Sequence, residues 1–313
     1  QMLPQLKSQE WLVAVDADLE YLFSTWFDIA FLELRSLSWD SPASLLEKLI
    51  KYEAVHDIRS WTDLKNRLDS DRRCYGFFHP RLPNEPLIFV EVALVDKMSD
   101  SIAPLLDEAA AAADVNKAST AIFYSISNTQ TGLRGVSFGD SLIKTVVEQL
   151  LQEFPKLRQF ATLSPIPGFR SWLGKNAGEV WEGADKRLRA ELGKALDKAE
   201  PTVDDWMAAL EQPGQWQAGD AAAKLLLHAA ARYLGKSLVK DKPVDPVARF
   251  HLGNGSRVER LNWAGDTSAK GIKQSYGLMV NYLYDLKRLD KHRNALAQGK
   301  IPVSSGIEAL AKV

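Results

Sequence analysis

From Glu10 to Leu34 the apolar residues Trp11, Val15, Leu19, Leu22, Phe23, Trp26, Phe27, Ala30, Phe31 and Leu34 recur at helical spacing. They predict one long amphipathic helix with a wide apolar face. Such a face needs partners, and the nearest is a short predicted helix from Pro42 to about Tyr52, opened by Ser41. Residues 1–57 are therefore expected to be the end of an N-terminal helical domain, with self-association through the helical regions as a consequence. Trp61 to Leu68 predicts a further helix behind the capping Ser60. The period then changes. Arg73 to Phe78 and Pro86 to Val95 are rich in Val, Ile, Leu and aromatics, and the Pro83-Asn84 turn between them makes a β-hairpin of the two runs.

A helix near Ile102 to Ala113, a strand at Ala121 to Ser127, a glycine-bearing turn and a helix from about Gly139 to Phe154 follow. A second strand, Gln159 to Leu163, comes after the Pro155 break, which completes a β-α-β unit. From about Lys175 to Leu238 the texture is Ala, Leu, Lys, Glu and Asp without a strand signal, and a helical insertion over about 175–243 is expected. Strand signals return at Arg257 to Trp263 and Gly277 to Tyr284, and Asp285 to Ala297 is helical. The pattern predicts an α/β (α+β) domain over 58–313 with a mixed central sheet.

Composition narrows the chemistry. Thirty-nine Lys and Arg against 40 Asp and Glu leave a net charge of -1, without the basic surplus of a nucleic-acid binder. Cys74 is the single cysteine, so neither an intrachain disulfide nor a cysteine-based metal site is available, and no metal is expected. The five histidines, at 56, 79, 228, 251 and 292, form no metal-spaced pair. No window approaches the roughly 18 uninterrupted apolar residues that a span needs. No basic stretch followed by an apolar run opens the chain, and its last three residues are not a peroxisomal address, so no membrane partner and a cytoplasmic location are expected.

Thr131 to Ile143 leaves a predicted strand and enters a predicted helix. Its glycines allow close backbone approach, and the free N–H groups of a first helical turn attract anions, so a pyrophosphate suits it. The order fits neither a Walker loop nor a dinucleotide fingerprint. It resembles the acyl-CoA loop of GNAT acetyltransferases, with Arg134, Gly135, Gly139, Leu142 and Ile143 matching and Ser137 at the middle glycine. Arg134, Gly135, Val136, Ser137, Phe138, Gly139 and Asp140 are the candidate coenzyme A contacts, the Asp140 carboxylate being expected to face outwards; a plain strand-to-helix turn fits the same residues.

Ser164 follows the second strand in a turn stiffened by Pro165 and Pro167, at the strand end where open α/β sheets bind ligands. A serine that merely caps a short helix at Phe169 to Leu173 fits the same residues. His251 stands before a Gly-Asn-Gly turn leading into a strand; it is the acid-base candidate among the five, and a structural role is also open. In the last strand Tyr282 and Tyr284 share a face with Val280 by alternation, and Asn281 points to the other. A buried amide or phenol there needs a partner, substrate or backbone.

Taken in order, the segments Tyr52 to Leu94, Phe123 to Gly135, Glu153 to Phe169, His251 to Gly255 and Gly277 to Tyr284 resemble the malonyl-CoA decarboxylase family, with the likeness running from about Asp16 to Tyr284. The resemblance implies a GNAT-like catalytic domain behind a helical domain, and release of CO2 from malonyl-CoA to give acetyl-CoA. The thioester is then the substrate and no cofactor is needed. It places the family's catalytic serine and histidine on Ser164 and His251, its active-site tyrosine on Tyr284 and a further pocket serine on Ser125; Asn281 would help fix the acyl group. Many members carry glutamate where Ser137 stands, so a role for that carboxylate does not transfer. An acyltransferase and a non-catalytic acyl-CoA binder are the competing readings.

Overall fold

A computed structural model describes residues 10–26, 31–130 and 142–312. The chain divides into two compact units. The first takes in Gln1–Leu94, Ala112–Val115 and Ser125–Leu157; the second takes in Val95–Ala111, Asn116–Tyr124 and Arg158–Val313. The domain boundary expected at residue 57 falls inside the first unit.

In the first unit, helix α1 covers Glu10–Trp26, and strand β1, Glu33–Leu37, pairs antiparallel with β2, Arg72–Phe78, from Glu33 opposite Phe78 to Leu37 opposite Cys74. The helix expected to reach Leu34 therefore gives way to a strand. The helical spacing of Phe31 and Leu34 is coincidental, and the open edge of β2 offers that backbone a ladder instead. Strand β2 pairs antiparallel with β3, Pro86–Val95, which is the expected hairpin. Helix α2, Ala43–Tyr52, and helix α3, Trp61–Arg67, lay Leu46, Leu49 and Leu64 with Ile58 against Leu37, Cys74, Phe78 and Phe89. Ser60 caps α3 by accepting from the Asp63 N–H. Helix α4, Leu142–Glu153, belongs to this unit and buries Leu142, Ile143, Val146, Val147 and Leu150.

Strand β4, Thr120–Asn128, has its first five residues in the second unit, where they run parallel to β5, Gln159–Thr162, with Thr120 opposite Gln159 and Phe123 opposite Thr162. Next come β6, Ser164–Pro165, then the helices α5, Phe169–Gly183, α6, Lys186–Ala195, α7, Val203–Leu210, and α8, Ala221–Lys236. A two-residue strand pair, β7 Leu238–Val239 and β8 Lys242–Pro243, leads into α9, Pro246–Gly253. Strand β9, Arg257–Asn262, helix α10, Ala269–Ser275, strand β10, Met279–Leu283, and helices α11, Leu289–Ala297, and α12, Ser305–Leu310, complete it. Strand β10 is antiparallel to β5, β6 and β9, so with the parallel β4–β5 pair the sheet is mixed, as expected.

One expectation is corrected here. The helix near Ile102 to Ala113 is a single 3-10 turn at Ala103–Leu105; residues 109–113 are exposed, and an alanine run with nothing to bury does not hold a helix. The region 175–243, expected as a helical insertion, holds the end of α5 with α6, α7 and α8, closes in the β7–β8 pair, and its helices lie in the core. Leu225, Leu226, Ala229, Ala230 and Leu234 of α8 pack in one cluster with Ile166, Phe169, Leu278, Val280 and Tyr282.

Candidate active site

The second unit holds the buried row on which the sequence converged. Ser164 is locked into the sheet, with Val280 opposite it and Met279 opposite Pro165, rather than carried on a free turn. It does not cap α5, whose cap position is Gly168. His251 lies in the last turn of α9, which runs through Gly253, the first residue of the expected glycine turn. Pro246 opens that helix with a ring-fixed φ, and the Asp245 carboxylate before it accepts from the N–H groups of Val247 and Ala248. Beyond the C-terminal end of α9 the chain turns at Gly255, which has φ of +86° and whose missing side chain would stand 2.8 Å from the Leu289 carbonyl oxygen. That approach requires glycine.

Ser164 Oγ lies 3.3 Å from His251 Nε2, and His251 Nδ1 lies 2.8 Å from the Tyr284 hydroxyl oxygen. Ser164 Oγ donates to Thr162 Oγ1 at 2.8 Å, and Thr162 Oγ1 also accepts from the Tyr282 N–H at 3.1 Å. The imidazole stacks on the Tyr282 ring with 4.7 Å between centroids, and the Tyr284 and Phe123 rings meet at 63° with 6.4 Å between centroids. Ser164, His251 and Tyr284 are all buried. Burial pushes the His251 imidazole down to about 3 and holds the Tyr284 phenol well above its ordinary range, so at neutral pH the row carries no charge.

Asn281 behaves differently from the expectation that it meets an acyl group. Its Nδ2 donates to the carbonyls of Ser99 and Thr162, and its Oδ1 accepts from Arg260 Nε and Asn262 Nδ2. All four hydrogen-bonding positions of the amide are engaged by protein. Contact with a ligand would require one of these to be surrendered, and the amide instead clamps the end of β5 to β9 and β10.

Ser125 lies in the first unit. Its Oγ stands 2.7 and 2.8 Å from the two carboxylate oxygens of Glu53, which also accepts from Ser127 Oγ and from the N–H groups of Val55 and His56. With its single hydrogen given to Glu53, Ser125 meets any ligand as an acceptor. The loop residues Arg134, Gly135, Val136, Ser137, Phe138, Gly139 and Asp140 lie outside the described residues. Of the other histidines, His228 and His292 are buried with Nδ1 against the backbone oxygens of Leu310 and Gly255.

Sequence reasoning missed Thr162 and Glu53. Thr162 had a signal: it stands two positions from Ser164 on one strand course, and alternation puts the two side chains on one face. Glu53 had none, because the serines it joins lie 72 and 74 positions away.

The family model of the malonyl-CoA decarboxylase C-terminal domain matches residues 30–313. A malonyl-CoA decarboxylase from Cupriavidus metallidurans, solved by crystallography, superposes with a TM-score of 0.86 at 50% identity, covering 99% of this chain and 75% of that one. The Rhodopseudomonas palustris protein of the same name gives 0.82 at 45% identity, covering 100% and 73%. Among curated proteins, the mitochondrial malonyl-CoA decarboxylase of Anser anser anser is 40% identical over 278 residues, 86% of this chain and 55% of its own length. The chain thus spans about half the length of the curated relatives it matches.

Proposed function

This chain belongs to the malonyl-CoA decarboxylase family, and from that premise we propose that it releases CO2 from malonyl-CoA and leaves acetyl-CoA. The observation that supports the reading most is the buried, uncharged row of Ser164, His251 and Tyr284.

Decarboxylation breaks the bond between the malonyl methylene and its carboxylate. The electron pair passes into the thioester as an enolate, and the methylene carbon then takes a proton. A neutral, buried row favours this in two ways. It gives the carboxylate no fixed counter-charge, so conversion to uncharged CO2 relieves an unfavourable burial. It also holds a hydroxyl hydrogen, that of Ser164, which on turning from Thr162 meets the enolate without a competing cation. In the proposed step Ser164 gives its hydrogen to carbon and takes one from His251 Nε2 as the Tyr284 hydroxyl gives its own to Nδ1, and one proton from solvent restores the Tyr284 phenol, so each turnover consumes one proton. No prosthetic group enters this step, since the coenzyme A thioester is the substrate itself.

Coenzyme A contact through the segment Arg134 to Asp140 is proposed from the loop's sequence, and Ser125 is proposed as a substrate contact limited to accepting a hydrogen. Asn281 is reassigned from the acyl group to the support of Thr162. Among the described residues no helix is long and apolar enough to cross a membrane. A cytoplasmic location is read from the lone buried thiol of Cys74, which suits a reducing compartment. A homo-oligomer is read from α1, where Trp11 is 63% and Val13 56% exposed.

Incubation of the purified chain with malonyl-CoA tests the activity. Equimolar CO2 and acetyl-CoA are expected, with Ser164→Ala and His251→Ala lowering kcat by about 100-fold or more while coenzyme A binding persists. Full activity in both variants would remove the assignment. Binding without turnover would make the chain an acyl-CoA binder, and acetyl transfer to an amine without CO2 an acyltransferase.

A further inference from the structure

We propose that Thr162 sets the tautomer of His251, acting through Ser164, and is thereby a positioning residue for the proton relay. A serine hydroxyl has one hydrogen, and here it is given to Thr162 Oγ1 at 2.8 Å. Toward His251, 3.3 Å away, Ser164 is then left as an acceptor, and the ring hydrogen must sit on Nε2. A neutral imidazole carries one N–H, so Nδ1 is bare and accepts from the Tyr284 hydroxyl 2.8 Å away. The hydrogens therefore run in one direction, from Tyr284 to His251 to Ser164 to Thr162. The downward shift of His251 and the upward shift of Tyr284 agree with a row in which both are neutral.

Thr162 can impose this direction because it is itself fixed. It is fully buried, its Oγ1 accepts from the Tyr282 N–H, and its carbonyl accepts from Asn281 Nδ2 at 2.7 Å. Arg260, which donates to Asn281, also donates to the carbonyls of Met98 and Ser99, so the support extends to the loop before Ile102. The catalytic meaning rests on the relay described under Proposed function: after Ser164 gives its hydrogen to carbon, the hydrogen that refills it already points at it from Nε2.

The test is made on the full chain labelled with 15N-histidine, whose ring shifts report the tautomer without substrate, together with initial rates on malonyl-CoA. Wild type is expected to show His251 with hydrogen on Nε2. Thr162→Val keeps the shape but removes the acceptor, so the Ser164 hydrogen turns to Nε2 and the ring hydrogen moves to Nδ1. In that variant kcat falls by about tenfold with KM held within about twofold. Thr162→Ser restores both the wild-type tautomer and, within about threefold, kcat. A wild-type ring with hydrogen on Nδ1, or a Thr162→Val ring that keeps it on Nε2, overturns the inference. A switched tautomer with unchanged kcat overturns the positioning role. A chain that switches tautomer yet never releases CO2 supports the tautomer assignment and removes the decarboxylase reading alone.

Discussion

His251 sits where an imidazole is least able to take a proton, stacked on Tyr282, bounded by Phe250 and Tyr284, and with both nitrogens engaged. Its pKa of about 3 in the fold lies below the unfolded value near 6.5, so the unfolded chain binds the extra proton between those limits. Stability contributed by the neutral ring is complete above pH 6.5 and declines as pH falls toward 3. Comparing wild type with His251→Gln by urea unfolding cancels every other titrating group. The difference is expected to be constant above about pH 7 and to shift against wild type by about 2 kcal/mol between about pH 6.5 and 5. A flat difference across that range would mean that the ring takes up a proton in the fold. Little of this residue's environment is legible in the sequence. The glycine turn after it is visible, but not that the chain stays helical through Gly253, which the Asp245 cap and Pro246 decide from the other end. Tyr284 comes from family resemblance; alternation places it beside Tyr282, and the hydrogen bond to a residue 33 positions earlier is a product of tertiary packing.

At the scale of elements, α3 and the β2–β3 hairpin are legible from period and caps, yet their deepest interaction is not. Arg67 is almost fully buried, with Nε on Asp63 Oδ1 at 2.8 Å and Nη1 on Glu91 Oε2 at 3.2 Å. Burial and the nearby Glu53 carboxylate lift Glu91 to about 8 despite Arg67, so this group is balanced close to neutrality. Removing the Arg67 cation takes a partner from two buried carboxyls: Asp63 keeps the Arg59 N–H and guanidinium at 3.1 and 3.4 Å, and Glu91 loses the cation that lies against it. Arg67→Met is expected to lower unfolding stability by about 3–5 kcal/mol, read by denaturant titration, whereas Glu91→Gln changes it by less than about 1 kcal/mol. Equal losses in the two would place the balance elsewhere. The apolar run of β3 announces a strand, but Glu91 in its midst reads as a solvent-facing position unless Arg67 is known to lie against it. The failures at 31–34 and 102–113 have a common cause. Both stretches have helical periodicity or propensity, and period alone does not say whether there is a surface to pack on.

For the second unit as a whole, α8 decides what kind of segment 175–243 is. Ala222, Ala223, Ala229, Ala230 and Ala231 are fully buried, and the helix packs against α5, α6, α12 and β9. Ala229→Leu is expected to overfill that core and cost about 1–3 kcal/mol, seen as a lowered Tm for the unit's unfolding transition. A detachable cover would leave the transition unchanged. The sequence supplies the helices but not their placement, since an alanine-rich texture fits a buried wall and a solvated spacer equally well. The distances along the chain between interacting residues carry a further consequence, for the order of synthesis. Thr162 leaves the ribosome 120 residues ahead of Tyr282, whose N–H it accepts, and Ser164 leaves 87 ahead of His251. At roughly 5–20 residues per second, the strand end bearing Thr162 and Ser164 waits on the order of 10 s before β10 exists to hold it. The nascent chain is therefore without a formed relay until Tyr284 has been made.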